Sequence, residues 1–387
     1  MSETVRPART LSGKTTISIF LIAVLGVGVV IGMTFPLVTL SLERMDLGAT
    51  LIGLNSATAS LGILVVGLIS ARLLARFSTS LVIIASCILS VASLVLLPIV
   101  GTVAGWFILR FMMTLGLGFL WLICETWLNA VAIPSNRGQI MGLYGAAFSG
   151  GFALGPLVIT LTGSQGWFPF ALAGGILAAS SMPMLLLGGF REGKGDEHVG
   201  QFKIFRLHPF VFIVAFAAGL FETTAYALLP VYTLGEGLGE NGSMYALSAF
   251  SAGGIAFQYP MGKLADAVGR NALLILTALS ILIGVVVLPF VINMPVILFF
   301  VLFLLGGSIF GLYTLGLILL GDGFNMKNLI AANAVFIITY EAGAVFGPAL
   351  SGSAMDLWPD NGFVGFLLFC AVVFAGLAVK KAKQSSP

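Results

Sequence analysis

Apolar runs of about twenty residues, separated by short polar breaks, recur from one end of this chain to the other. A helix needs about 20 apolar residues to cross the hydrocarbon core of a bilayer. Of the 387 residues, 59% are hydrophobic and 9% charged, whereas a water-soluble chain carries about 25% charged residues. Lipid is therefore the expected solvent for most of the surface. Strands of a transmembrane barrel would show as alternating segments of about ten residues, and these are absent. The breaks define twelve spans, near 17–40, 51–70, 80–100, 104–132, 139–161, 167–189, 209–233, 243–261, 271–291, 296–320, 329–353 and 363–379. The expected fold is all-α and membrane-spanning. Pro36 and Pro230 are read as ending their spans, and the 49 glycines suit close helix packing in lipid.

Charge placement orients the chain. Of 18 Lys and Arg, only Arg44 falls on an outer loop and only Arg110 within a span, leaving 18 − 2 = 16 on one side. That asymmetry predicts both termini inside and an even number of spans. Arg6, Arg9 and Lys14 precede the first run, which is too long for a signal peptide and has no A-x-A site. Cys87, Cys124 and Cys370 all lie in apolar runs without metal-ligand or disulfide spacing. His198 and His208 stand in or beside the central polar loop. No metal and no cofactor is expected.

The chain also repeats itself. Pro36 and Pro230 differ by 194 positions (230 − 36), Gly67 and Gly262 by 195 (262 − 67), Pro98 and Pro289 by 191 (289 − 98), and Gly155-Pro156 and Gly347-Pro348 by 192 (347 − 155). A near-constant offset of about half the chain predicts two six-helix bundles, 1–190 and 209–387, joined by a cytoplasmic linker over 191–208. Parallel repeats with a substrate site near the midplane are a transporter arrangement.

The nine residues Gly262-Lys263-Leu264-Ala265-Asp266-Ala267-Val268-Gly269-Arg270 are read as a tight inner turn between the eighth and ninth spans. They resemble the loop signature G-x-x-x-D-x-x-G-R of the major facilitator superfamily, with Gly262, Asp266, Gly269 and Arg270 at its four fixed positions. The resemblance implies a gating role for these four residues. The matching turn of the first half departs from the signature: Ala71 and Leu74 stand where Asp266 and Gly269 stand, and only Arg72 and Arg76 keep the charge. Arg110 resembles the arginine of the family's fourth-helix motif R-x-x-x-G-x-G, with Thr114 in place of the first glycine and Gly116 matching. Gly151-x-x-x-Gly155-Pro156 resembles the fifth-helix antiporter motif without its trailing glycines, and Gly343-x-x-x-Gly347-Pro348 repeats it. Glycines on one face allow close helix contact and a proline bends the helix. The Glu125-Thr126-Trp127-Leu128-Asn129 run, Arg137-Gly138, the stretch from Glu222 to Pro230-Val231-Tyr232 and Gln258-Tyr259-Pro260 together resemble the YcaD-type branch. That resemblance runs from about Ile17 to Lys380 and implies small-molecule transport, with efflux first.

Charges within spans carry the chemistry, since each costs about 2.5–3.5 kcal/mol to insert. Glu222 and Glu341 lie about twelve residues from the inner ends, roughly 18 Å deep at 1.5 Å per residue. A carboxyl at such depth can exchange a proton, because desolvation disfavours the anion; otherwise it is a structural, hydrogen-bonded acid. Arg110 is read as an anion site or counter-charge, or as snorkelling to the outer interface. Glu125 lies about 22 Å from Arg110 along one helix. It is read as a group releasing protons inward, as an inner gate with Arg137, or as an interfacial carboxyl. Trp121, Tyr226, Tyr313 and Tyr340 are aromatic candidates for an amphipathic substrate.

The expected function is secondary active transport of a small molecule by alternating access, with proton antiport first. Proton-coupled uptake and lipid or lysophospholipid flipping are the alternatives. The longest polar segment is too short for a signalling domain. No nucleophile–base pair, metal cluster or G-x-x-x-x-G-K-[ST] loop points to an enzyme. Expected partners are a small-molecule substrate, protons and the lipid bilayer, with no nucleic acid. The protein is expected as a monomer in a bacterial inner membrane.

Overall fold

The computed structural model describes residues 13–131, 137–187, 201–324 and 326–385. Most of the expected linker, including His198, lies outside the described residues. Among those described there is no strand. Thirteen α-helices follow in order: α1 Gly13–Glu43, α2 Ala49–Arg76, α3 Thr79–Leu96, α4 Val103–Val131, α5 Arg137–Thr162, α6 Phe168–Ser181, the short α7 Gln201–Leu207, α8 Pro209–Gly235, α9 Gly239–Val268, α10 Arg270–Val291, α11 Pro295–Gly323, α12 Met326–Leu357 and α13 Gly362–Ser385. Short 3-10 turns extend α3 to Ile99 and α6 to Leu187. Every long helix coincides with an expected span.

Eleven of the described helices are long and apolar enough to cross a membrane. The twelfth, α9, has the length, at 30 residues, but is rich in glycine and serine. Its serines are turned inward: Ser243, Ser248 and Ser251 are buried. Ser243 and Ser251 return their hydroxyls to the carbonyls of Gly239 and Leu247 on the preceding turn.

The chain divides into two compact units, Met1–Leu37 with Thr58–Asp196, and Val38–Ala57 with Glu197–Pro387. Within the first, α1 and α5 touch backbone to backbone. A Cβ on Gly151 would fall 2.3 Å from the Leu25 carbonyl oxygen, and one on Gly155 2.3 Å from the carbonyl carbon of Gly32. Within the second, α8 and α12 repeat the contact. A Cβ on Gly343 would fall 2.0 Å from the Phe216 carbonyl oxygen, and one on Gly219 2.0 Å from that of Tyr340. The offset 343 − 151 = 192 recurs as 219 − 28 = 191, since Gly28 faces the Phe148 carbonyl in the same way. The two glycine motifs therefore do the same job of close helix packing.

Two expectations about helix ends are corrected. Pro36 and Pro230 do not end their helices: α1 runs on to Glu43 and α8 to Gly235. In apolar surroundings a broken helix leaves backbone groups unpaired, so proline is absorbed where neighbours supply hydrogen bonds. Thr39 Oγ1 donates to the Ala227 carbonyl, 3.0 Å away, one turn before Pro230. Likewise, the run 262–270 is not a nine-residue turn. Helix α9 continues to Val268 through the good helix formers Leu264, Ala265 and Ala267, and Gly67 lies inside α2. The reversal falls on Gly269 alone, at φ +84° and ψ 150°, a region that glycine enters without a Cβ penalty.

The segment Val38–Ala57 packs within the second unit. Asp356, at the end of α12, accepts hydrogen bonds from the backbone N–H of Ala49 (2.7 Å) and Thr50 (2.9 Å), two unsatisfied donors of the first turn of α2. Arg44 pairs with Glu240 at 2.6 Å. A Cβ on Gly53 would lie 2.0 Å from the Pro348 carbonyl oxygen.

Gly155→Val should destabilise the protein by about 1–3 kcal/mol through overpacking, read as a lower melting temperature of purified protein. Gly262→Ala, where the added methyl meets nothing within 4 Å, should leave the melt unchanged or raise it. Asp356→Ala should cost about 1 kcal/mol, as the loss of a helix cap does, and the same melt reads it.

Candidate functional site

Arg110 lies on α4 and is buried, with 1% of its surface exposed. Its Nη1 donates to the Thr34 carbonyl at 2.9 Å. The guanidinium carbon stands 4.9 Å from the centroid of Phe35, a cation–π contact. Its Nε has no hydrogen-bond partner, and no described carboxylate lies within ion-pair distance of it. Snorkelling is therefore not what this side chain does. Beside it is a cavity of about 30 Å³, whose lining includes Thr34, Phe35, Ser60, Thr114 and Trp121. Thr114, where the fourth-helix motif has glycine, returns its hydroxyl to the Arg110 carbonyl at 3.0 Å. Gly116 fulfils the motif's other demand: a Cβ there would lie 2.3 Å from Ser90 Oγ on α3.

Further along α4, Glu125 accepts a hydrogen bond from the Tyr144 hydroxyl of α5 at 3.1 Å. The Trp121 indole N–H donates to the same hydroxyl. Trp121 stacks on Phe148 at 5.2 Å and 8°. Tyr144 is a member of this site that the sequence reading missed, since a lone tyrosine on α5 carries no spacing signal. The side chain of Arg137, the suggested gate partner of Glu125, lies outside the described residues.

In the second unit Glu222 is partly buried on α8, with the Tyr340 side chain of α12 as its electrostatic neighbour. Tyr313 of α11 meets Tyr340 edge-on at 5.3 Å. Three of the expected residues, Glu222, Tyr313 and Tyr340, thus come together. Glu341 is buried, with 5% exposed. Tyr226 belongs to the core: it is 1% exposed, its hydroxyl is 2.8 Å from Ser251 Oγ, and it packs edge-on against Phe250 and Phe310. No side-chain area is left on it for a substrate.

The residues of the loop signature form an ion-paired corner. Arg270 pairs with Asp266 one turn earlier at 2.9 Å and with Asp322 at the end of α11 at 3.1 Å. Its Nη1 also donates to the Ala265 carbonyl, an unsatisfied group of the α9 C-terminus. Lys263 lies 4.8 Å from the Tyr259 ring centroid. Among the described residues no group of three His, Cys, Asp or Glu could hold a metal ion.

The family model for the Major Facilitator Superfamily matches residues 17–247 and 211–386. The uncharacterised transporter YfkF of Bacillus subtilis (strain 168) is 28% identical over 374 residues, 92% of this chain and 93% of that protein. The uncharacterised transporter YcaD of Salmonella enteritidis PT4 is 23% identical over 342 residues, 87% and 88% of the two chains. Among solved structures, the nucleoside transporter NupG aligns with a TM-score of 0.76 at 12% identity, covering 97% of this chain and 98% of that one. A bacterial homologue of the human lysosomal transporter Spinster, inward-facing and occupied, aligns with a TM-score of 0.77 at 9% identity, covering 98% of each. At such identities the structures share the fold alone. This multi-pass chain, α-helical through its described residues, belongs to the Major Facilitator Superfamily and is a transporter of that family.

Proposed function

We propose that this transporter is a proton-coupled exporter of a small molecule, working by alternating access in a bacterial inner membrane with both termini cytoplasmic. The observation that carries this reading is the Glu222 carboxyl, set partly buried within a membrane helix beside the Tyr340 side chain of α12. An ionised carboxylate is costly at such a depth. A carboxyl that stays partly accessible there is suited to pick up and release a proton. Tyr313 packs edge-on against Tyr340 and limits the positions its ring can take. Glu341 is the second acid of the same helix pair and Glu125 the acid of α4. Both are assigned supporting roles in proton movement. The Asp266–Arg270–Asp322 corner is assigned to gating, as an ion-paired link between the inner ends of α9, α10 and α11.

The assay uses inside-out vesicles with an acidic interior, a fluorescent pH probe and a panel of drugs, sugars, amino acids and organic acids. Wild type should release the proton gradient on addition of a transported compound, and Glu222→Gln should abolish that release while inserting and melting like wild type. An equal response from Glu222→Gln would make Glu222 structural and move the role to Glu341 or Glu125. A silent wild type, folded and inserted, would favour uptake, another ion or lipid movement over proton antiport.

A further inference from the structure

We propose that the Arg110 cavity of the first unit is a carboxylate-binding subsite, and that the transported class is an aromatic monocarboxylate. This rests on the transporter reading, but not on the direction of transport or on Glu222.

A guanidinium removed from water needs a counter-charge or a full set of hydrogen bonds. Arg110 has one carbonyl bond and one aromatic face, and its Nε is unpartnered although buried. Nε lies on the side-on edge of the guanidinium, which a carboxylate engages through two parallel hydrogen bonds. The size of the cavity agrees. Its volume is about 30 Å³, and about 10–15 Å³ of such space holds one water-sized group. Room for about two water-sized groups suits the two oxygens of a carboxylate. The hydroxyl-bearing residues Ser60 and Thr114 line the same space.

The aromatic body follows from what adjoins the cavity. Phe35 and Trp121 line it, and both belong to a continuous aromatic track. Phe35 lies 6.3 Å from Phe152, Phe152 lies 6.1 Å from Phe148, and Phe148 stacks on Trp121 at 5.2 Å. All four rings are partly exposed, so a planar apolar ring has faces to lie against at separations typical of aromatic pairs. Tyr144 fixes the Trp121 indole through its N–H. It acts as a positioning residue for the track.

The test measures equilibrium binding of radiolabelled 2-naphthoate to the full-length protein in nanodiscs. Uncharged 2-naphthamide and cationic 2-naphthylmethylamine serve as competitors. Naphthoate should bind saturably, and both competitors should be at least tenfold weaker. Arg110→Gln should weaken naphthoate at least tenfold. Arg110→Lys, which keeps the charge and loses the planar fork, should fall between it and wild type. Should Arg110→Gln not fold, Ser60→Leu fills the cavity with Arg110 in place, and it should weaken naphthoate by a similar factor. Trp121→Leu should weaken naphthoate severalfold. Equal binding of naphthamide, unaltered binding in well-folded Arg110→Gln or Ser60→Leu, or no binding to folded wild type would overturn the inference.

The failures of the two readings separate. If an uncharged compound discharges the vesicle gradient while naphthoate does not bind, export stands and the carboxylate subsite falls. If naphthoate binds as expected and no compound moves protons, the subsite stands and proton-coupled export falls.

Discussion

Backbone-to-backbone contact at glycine is the constraint from which the rest of this structure follows. Between helices in lipid there is no hydrophobic driving force, so close packing and a few hydrogen bonds must hold them together. Gly28 and Gly32 of α1 lie against the carbonyls of Phe148 and Phe152 of α5, at positions where a Cβ would clash. That contact fixes the register of α5, and with it the placement of the aromatic rings that adjoin Arg110. Gly219 of α8 lies against the Tyr340 carbonyl of α12 in the same manner. Glu222 is one turn along from Gly219 (222 − 219 = 3), so the glycine contact places the Tyr340 side chain beside the carboxyl. The packing that builds each unit is also what assembles its polar site.

The same apolar surroundings explain why so few polar groups stand out. Thr114, Ser251, Thr277, Ser308 and Thr339 each return a hydroxyl to a carbonyl one turn back on their own helix. A hydroxyl satisfied in this way costs little in lipid and says little about function. A guanidinium has no such option, because it has only donors and more of them than one carbonyl can meet. Arg110 is therefore informative in a way that a buried threonine is not.

The sequence made the scaffold legible because lipid imposes a strong pattern on it. Span positions followed from apolar length, and the paired glycine motifs followed from the near-constant offset, which the contacts of Gly151 and Gly343 reproduce. The charged residues within spans were equally visible, since each is an exception to its surroundings. Partners were less visible. Tyr144 pairs with Glu125 across 19 positions and two helices, and nothing in one sequence marks that distance. Tyr226 and Tyr340 looked alike as aromatics on membrane helices, yet one is spent on Ser251 in the core and the other stands beside Glu222. Glycine and charge at 262–270 suggested a turn, but helix propensity between the glycines carried α9 through to Val268. That Val38–Ala57 packs with the second unit depends on contacts some 300 positions apart, such as Ala49 with Asp356, which local pattern does not encode.

The repeat also shows where function has left the scaffold. Shifting by the 192-residue offset of the glycine motifs places Arg110 at Leu302 (110 + 192) and Glu125 at Leu317 (125 + 192). In the other direction, Glu222 maps to Val30 (222 − 192) and Glu341 to Ser149 (341 − 192). The packing glycines are duplicated and none of the membrane-embedded charges is. Duplicated packing with unduplicated charge means that the two units were not selected for one shared chemistry. The first unit buries a cation that lacks a counter-charge, and the second holds two acids on neighbouring helices. Under the proposed reading anion recognition falls to the first unit and the principal proton site to the second, with Glu125 of the first unit in a supporting role. The chemistry favours such separation: a carboxylate substrate placed directly against Glu222 would raise the cost of ionising either group. Against Arg110 the same carboxylate supplies the charge that the buried guanidinium lacks.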